Sequence, residues 1–401
     1  MKILFLAPHP FLRPRGTPIA ERAVLAALAA EGHEVDVLTY AEGDDPGIPG
    51  CRIHRIRALP GTRDIRPGFS LKKLVCDAVM LPRFLALARR GRYDLVHAVE
   101  ESAFMALLGR WLLGVPYIYD MDSGLAEQMT ERFRWLRPVA PALEAFERRA
   151  LRGSVGVLAV CKDLETRARR EAPAAVVGCV EDVSLLGDAP PPAVAPLASG
   201  DGPLALYVGN LEPYQGVDLL LEAFALAAPQ VPEARLAVVG GPPEVAAALA
   251  RRSAARGLGD RVHVTGPRPI AELGSLLAQA TVLVSPRISG SNTPMKLYSY
   301  MDSGRPVLAT RLATHTQVLD DETALLVEPE PAAFAEGLVR LLGDTVLRTR
   351  LAANARALAR REHTPEAARR KLLRFYAEVE ARLRPVVEEV REHEYPSARR
   401  G

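Results

Sequence analysis

Apolar residues fall along the chain in short blocks. Each block is followed by a turn and then by a stretch with apolar positions three and four apart. Lys2–Ala7 is an apolar run of the kind carried by a strand buried on both faces. A loop rich in Pro, Arg and Gly follows, and Ile19–Glu31 then sets Val24, Leu25 and Leu28 on one helical face. Gly32 closes that helix, and Glu34–Tyr40 is the next strand. Strand, helix and strand in that order make one unit of a parallel sheet, because parallel neighbours need a crossover.

The alternation continues. Strands are expected at Cys51–Arg57, Asp94–Val99, Val115–Tyr119, Val155–Val160 and Ala175–Val180, with helices at Ser70–Arg90, Ser102–Leu113 and Leu143–Leu151. Gly187–Pro203 interrupts the pattern with Pro, Gly and Ala, the composition of a linker. A second series then opens. Its strands are expected at Leu204–Val208, Leu236–Val239, Val262–Thr265, Val282–Ser285, Val307–Thr310 and Ala324–Val327. Its helices are expected at Gly216–Leu226, Glu244–Arg256, Ile270–Gln279, Pro294–Met301, 332–342, 345–361 and 365–384. The fold class is therefore α/β, with two Rossmann-like parallel-sheet domains of similar size. We place them at 1–186 and 204–367, joined by a linker at 187–203.

Composition narrows the function. The 401 residues are 48% apolar and 25% charged, which is ordinary globular usage with room for two or three domains. Net charge is only +3 and aromatics are 5%, so there is neither the basic excess nor the stacking surface expected of a nucleic-acid binder. No apolar run approaches the ~20 residues of a membrane-spanning helix. The opening MKILFLAPHP reads as a buried strand rather than a secretory signal, which points to the cytoplasm. Cys51, Cys76, Cys161 and Cys179 include no CxxC pair, and no HxxxH pair occurs. No metal site and no cofactor are expected, and the cysteines read as isolated reduced thiols.

In open parallel sheets, ligands meet the loops at the carboxyl ends of the strands. Arg13–Pro18 is such a loop; its glycine suits either a tight turn or the close approach of an anion to a helix N-terminus. Ser285–Gly304 (SPRISGSNTPMKLYSYMDSG) is the strongest candidate. Asn292 or Thr293 suits an N-cap, Pro294 the first helical turn, and Lys296, Ser299 and Tyr300 share a face. Arg287 and Lys296 are cations near a helix N-terminus, where they oppose the helix dipole. A bound dianion resolves that conflict. Val208–Gly216 and Gly240–Pro243 are further strand-to-helix loops of the same kind.

Three blocks in order, GHEVDVLTY, VGNLEPYQGVDLLLEAF and PMKLYSYMDSGRPVLAT with ALLVEP after it, resemble retaining glycosyltransferases of family 4, the group 1 and glycogen-synthase-like enzymes. The resemblance covers nearly the whole chain. It implies the GT-B fold, two Rossmann-like domains facing a cleft, with a terminal helix at about 368–401 returning to the first domain. It implies a nucleotide-sugar donor, UDP-sugar first, held by the second domain, and a glycan, lipid-linked or small-molecule acceptor received by the first. It places Gly16 and Thr17 beside the donor phosphates, Gly290, Ser291, Asn292 and Thr293 on the donor sugar and diphosphate, and Arg268 near the nucleobase.

The sequence also departs from the family pattern. Ser291 and Ser299 stand where two glutamates are common, with Ser299 at the ribose position. Asn210 and Gln215 stand where an Arg and a Lys usually hold the diphosphate, and Asp122 stands where a His is common. Arg287 and Lys296 are expected to take over the diphosphate, and Asp122 to lie near the acceptor hydroxyl. His97, on a buried strand, reads as structural.

The reading is a metal-independent hexosyltransferase. Its alternative is a non-catalytic GT-B protein that binds a nucleotide or glycan and supports a partner enzyme. Leu71–Arg90 and Glu131–Pro138 mix basic and apolar residues, which suits either an ordinary domain surface or weak peripheral contact with the inner face of a membrane.

Overall fold

The computed structural model describes all residues except 12–15, 44, 46, 63–64, 66–69, 127–128, 130–133, 188–189, 291 and 395–401. The chain divides into two compact units, Met1–Glu181 with Ala368–Gly401, and Asp182–Ala367.

Seven strands form the sheet of unit 1: β1 (Lys2–Ala7), β2 (Glu34–Thr39), β3 (Cys51–Arg55), β4 (Leu95–Val99), β5 (Tyr117–Met121), β6 (Gly156–Ala159) and β7 (Val176–Cys179). Their order is β3-β2-β1-β4-β5-β6-β7, with every pairing parallel. Successive side chains of a strand point to opposite faces. Ile3 and Phe5 therefore pack with Leu25, Leu28 and Phe375, while Leu4 and Leu6 pack with Met80, Phe84 and Ala106 on the other face. Covering both faces is what lets these strands be uniformly apolar.

Unit 2 repeats the plan with six strands: β8 (Leu204–Val208), β9 (Arg235–Val239), β10 (Val262–Gly266), β11 (Val282–Ser285), β12 (Val307–Thr310) and β13 (Leu325–Val327). Their order is β10-β9-β8-β11-β12-β13, again all parallel. One face packs against Leu220, Phe224 and Phe334, and the other against Leu276, Leu297 and Tyr300. In both sheets the order reverses beside the first strand, at β1/β4 and at β8/β11. Loops leaving the two strands of a switch point diverge, which opens a crevice at their carboxyl ends.

Several elements differ from the expected ones, among them a short helix at Ala313–Thr316 and a 3-10 turn at Arg134–Val139 that the pattern did not show. The helix after β1 begins at Gly16, three residues before its apolar periodicity does. A helix at Lys162–Glu171 was not anticipated, because it buries only Leu164 and Ala168 and is otherwise strongly charged. The helix expected at Pro294–Met301 spans Lys296–Asp302, with Met295 at its N-cap and no side-chain cap. Neither Asn292 nor Thr293 caps it; both belong to the loop that Arg287 organises.

Candidate functional site

In unit 2 the loops leaving β8 and β11 are stitched together at the switch point. The backbone N–H of Ile288 donates to the carbonyl of Tyr214 at 3.0 Å. Gly216 holds φ 72°, and a Cβ there would lie 1.9 Å from the carbonyl oxygen of Pro286, so only glycine lets the two loops approach this closely. Gly240, after β9, is packed as tightly against the Gly209 carbonyl.

Arg287 is 5% exposed and shapes its own loop. Its Nε donates to the Ser289 carbonyl at 2.7 Å, Nη1 to the Asn292 carbonyl at 2.8 Å and Nη2 to Asn292 Oδ1 at 3.1 Å. The guanidinium lies 5.1 Å from the centre of the Tyr214 ring. Gly290, at φ 117°, passes so close that a Cβ would meet Nη2 at 2.3 Å. Beneath this loop Thr310 Oγ1 donates to the Arg287 carbonyl at 2.6 Å. His315 Nδ1 lies 2.7 Å from the Thr310 carbonyl and Nε2 2.9 Å from Ser285 Oγ. A carbonyl only accepts, so Nδ1 carries the proton and Nε2 accepts from the serine. Burial foremost, then the charges of Lys296 and Arg287, bring the His315 pKa down to about 3 against the pull of that carbonyl.

Lys296 Nζ donates to Gln215 Oε1 at 3.0 Å and sits 4.0 Å from the centre of the Tyr207 ring. Burial first, and then the charge of Arg287, hold this ammonium well below the usual lysine range. Among the described residues it has no carboxylate partner. The hydroxyl of Thr293, 6% exposed, has no hydrogen-bond partner at all. Two neighbouring cations and an orphan hydroxyl at the end of a parallel sheet are costly unless an anion with acceptor oxygens joins them.

The other expected residues divide. Asn210 is exposed in the loop after β8, where its carbonyl accepts from Tyr207 Oη at 2.5 Å. Arg268 is paired with Glu272 at 2.6 Å after β10, and no described contact joins it to the Arg287 group. Ser299, expected at the ribose, is 1% exposed, and its hydroxyl accepts from the N–H of Leu185 at 2.9 Å. Ser291 lies outside the described residues, as does the loop preceding Gly16; Gly16 and Thr17 open the helix after β1.

In unit 1 the helix after β1 and the loops after β4 and β5 bring acids together. Asp122, half-buried, follows β5, and Glu100 and Glu101 follow β4. Glu100 holds φ 47°, uncommon outside glycine. Lys73 reaches into this group with Nζ 2.6 Å from Glu101 Oε1 and 3.6 Å from Glu100 Oε2. Burial alone would depress this lysine, but Glu101 and Glu100 outweigh it and keep the ammonium charged. Glu21, 2% exposed on the helix after β1, has its Oε2 2.9 Å from His9 Nε2. Burial, followed by Asp122, Asp120 and Glu100, raises the Glu21 carboxyl well above the usual range. His97 is fully buried and stacks on Phe5 with centroids 4.4 Å apart. It links Asp120 Oδ2 at 2.9 Å to Tyr376 Oη at 2.6 Å, a structural brace between β5 and the terminal helix.

Sequence reasoning missed His9, Glu21, Lys73, Glu100 and Glu101. The pair Glu100-Glu101 directly after an apolar strand was the one available signal. Three of the described residues in this group cannot converge on a metal ion: no cluster of His, Cys, Asp or Glu suited to one occurs among the described residues.

The sequence matches the family description "Glycosyl transferases group 1" over residues 202–344 and "Glycosyl transferase 4-like domain" over 19–180. It is 30% identical over 380 residues to the D-inositol 3-phosphate glycosyltransferase of Acidothermus cellulolyticus, covering 84% of this chain and 80% of that one. It is 28% identical to the phosphatidyl-myo-inositol mannosyltransferase of Mycobacterium leprae, covering 90% and 92%. Among solved structures it is similar to Anabaena HepE, crystallised with UDP-glucose, at a TM-score of 0.70 and 17% identity over 94% of this chain and 100% of that one.

Proposed function

This chain belongs to the group 1 glycosyltransferases, and on that premise we propose that it moves a sugar from a nucleotide diphosphate sugar, a UDP-sugar first, to an acceptor hydroxyl with retention at the anomeric carbon. Unit 2 holds the donor and unit 1 receives the acceptor. The observation that carries the donor half is the Lys296–Gln215 contact of 3.0 Å beside Arg287. Gln215 stands at the lysine position of the family pattern. Lys296, from the helix after β11, delivers an ammonium to that same spot.

The chemistry asked of the site is to stabilise charge as the bond between the anomeric carbon and the diphosphate oxygen breaks. Arg287 and Lys296 face the developing charge on the leaving diphosphate, in a role a metal ion would otherwise take. Both are set before the reaction, Arg287 by three hydrogen bonds within its loop, and little reorganisation is left for the transition state. Gly290, Asn292 and Thr293 orient the donor sugar, with the Thr293 hydroxyl available to it. Gly16, Thr17, Asn210 and Arg268 complete the donor contacts. Asp122 acts on the acceptor hydroxyl, whose proton must leave as the new glycosidic bond forms.

Peripheral membrane contact belongs to the same proposal. Among the described residues no helix is long and apolar enough to cross a membrane. The helix Leu71–Gly91 does expose Leu71, Leu74 and Val75 together with Lys72, Arg83, Arg89 and Arg90. That mixture suits an anionic surface. Sedimentation with vesicles containing phosphatidylglycerol, but not with pure phosphatidylcholine vesicles, is the expected result.

The donor assignment is tested by thermal shift against UDP, GDP, ADP and their sugar conjugates. A ligand at a hundred times its Kd adds about 2.7 kcal/mol. Stabilisation by one nucleotide family names the base. No stabilisation by any of them removes the donor reading. The anomeric configuration of the product, read by NMR, tests retention.

A further inference from the structure

Beneath the Arg287 loop the sheet of unit 2 ends in a line of polar side chains that the donor contacts do not include. Ser285 closes β11, Thr310 closes β12, and His315 lies on the short helix Ala313–Thr316 that follows β12. All three are 0% exposed. The main-chain ladder between β11 and β12 ends with the pair Ser285 and Ala309. One step further on, a side chain takes its place: Thr310 Oγ1 donates to the Arg287 carbonyl at 2.6 Å. From this arrangement we propose that Thr310, backed by His315 and Ser285, is a positioning residue for Arg287, holding the start of its loop against the sheet so that the guanidinium stands in place before a diphosphate arrives. The inference rests on the reading of Arg287 as a diphosphate contact.

The hydrogen bonds beneath the loop run in one direction. The Thr310 carbonyl can only accept, so the proton of the His315 ring is on Nδ1, 2.7 Å away, with Thr310 Oγ1 beside it at 3.1 Å. Nε2 is then the acceptor and takes the proton of the Ser285 hydroxyl at 2.9 Å. The Thr310 hydroxyl turns a lone pair to the ring and its proton to the Arg287 carbonyl. Each donor in the series Ser285, His315, Thr310 thus points on to the next, and the last points at the loop. Bonds aligned in this way polarise one another, and a buried polar network is rigid when every member is satisfied and costly when one is lost. The loop above is closed on itself by the Arg287 side chain, which donates to the Ser289 and Asn292 carbonyls at 2.7 and 2.8 Å. It is therefore one piece, and the bonds that tie it to its surroundings set where the guanidinium stands. Thr310 supplies one tie, and the Ile288 N–H, on the Tyr214 carbonyl at 3.0 Å, supplies another.

The test uses the full-length protein and two substitutions at one position. Thr310→Val keeps the shape and removes the hydroxyl, and Thr310→Ser keeps the hydroxyl. Binding of inorganic pyrophosphate and of UDP, with GDP and ADP in parallel, is measured by calorimetry in 50 mM sodium chloride. Amide exchange at Ile288 reports the loop, and exchange at Val238, inside β9, reports the sheet. Thr310→Val leaves a buried carbonyl unpaired, so it should weaken binding of pyrophosphate and of the nucleoside diphosphate about tenfold or more. It should speed exchange at Ile288 by a similar factor and leave Val238 unchanged. Thr310→Ser should restore affinity and exchange to near the parent. Ser285→Ala, acting from the far end of the series, should move both in the same direction by about threefold, and it carries the test if Thr310→Val does not fold.

A merely structural hydroxyl would lower the urea midpoint of Thr310→Val and leave the affinities of the folded protein where they were, and that result overturns the inference. So does a Thr310→Ser variant as weak as Thr310→Val, because the hydroxyl is then not the group that matters. If the parent binds pyrophosphate or a nucleoside diphosphate and the variants bind it equally well, the donor reading survives and the positioning role is wrong. If the parent binds none of the probes, the donor reading fails and takes the inference with it.

Discussion

Lys296 is the residue on which the proposed donor chemistry turns. Its Nζ is held by a neutral amide and an aromatic ring, and the charge of Arg287 lies close by. Lys296→Ala should therefore lower turnover tenfold or more while the melting temperature stays near that of the parent; unchanged kinetics would end the assignment. Burial and Arg287 depress its pKa in the free protein, and a diphosphate placed beside it must raise that pKa again. Between those two values binding takes up a proton, so nucleotide affinity should fall as pH rises through the interval. Calorimetry of UDP binding in two buffers of different ionisation enthalpy reads the uptake directly.

His315 carries a second pH signature. Its folded pKa of about 3 is below the ordinary histidine value of ~6.5, so between those values the unfolded chain binds the extra proton. Stability is then fully present above ~6.5 and is lost as pH falls toward 3. His315→Gln should cost about 1–3 kcal/mol at pH 7 through broken buried hydrogen bonds and flatten the acid limb of the melting curve.

At the level of elements, the terminal helix is fixed to unit 1 by an exchange of volume. Gly156 on β6 and Gly178 on β7 have no side chains where Phe375 lies. A Cβ at Gly178 would meet the Phe375 ring at 2.7 Å, and one at Gly156 would meet it at 2.9 Å. Neither glycine is required by its φ; each is required by its neighbour. Gly178→Val should destabilise unit 1 by about 1–3 kcal/mol through overpacking, and Phe375→Ala by about 3–5 kcal/mol through the cavity left behind. Urea unfolding followed by circular dichroism measures both. Periodicity had located this helix and most others, since each presents a continuous apolar stripe. It did not locate Lys162–Glu171, whose buried face is two residues wide. It also misplaced the start of the helix at Lys296, because the loop before it takes its shape from Arg287 and not from a capping side chain.

Across the whole molecule one plan is used twice with opposite charge. Each parallel sheet reverses its strand order beside its first strand, and each places its polar chemistry at the carboxyl ends there. In unit 2 the edge gathers Arg287 and Lys296; in unit 1, among the described residues, it gathers Glu21, Glu100, Glu101, Asp120 and Asp122 with Lys73, His9 and His97. Nucleotide binding through two cations should weaken modestly with salt, because exposed charges more than about 8 Å apart are screened at physiological ionic strength while buried pairs are screened much less. UDP affinity measured by calorimetry between 50 and 500 mM sodium chloride is expected to fall, and the fall should be smaller in Lys296→Ala and Arg287→Ala variants; a salt dependence unchanged in both variants would show that the diphosphate does not bind at this edge.

The amino-acid sequence determined the alternation of strand and helix, the two-domain plan, the family resemblance and the candidacy of Arg287 and Lys296. Those are local properties, legible in the spacing of apolar residues and in the residues of one loop. Only the tertiary structure decided which residues meet. Lys296 and Gln215 are 81 positions apart and share a hydrogen bond, while Ser299, next to them in the motif, is turned to Leu185. Glu21, Glu100, Glu101 and Asp122 form one group because β1, β4 and β5 lie side by side in the sheet, and Lys73 reaches them from the helix that precedes β4. A strand's neighbours are chosen by long-range packing and a right-handed crossover, neither of which leaves a periodic mark along the chain. That is why the charge of the unit 1 edge could be read only once the sheet was assembled.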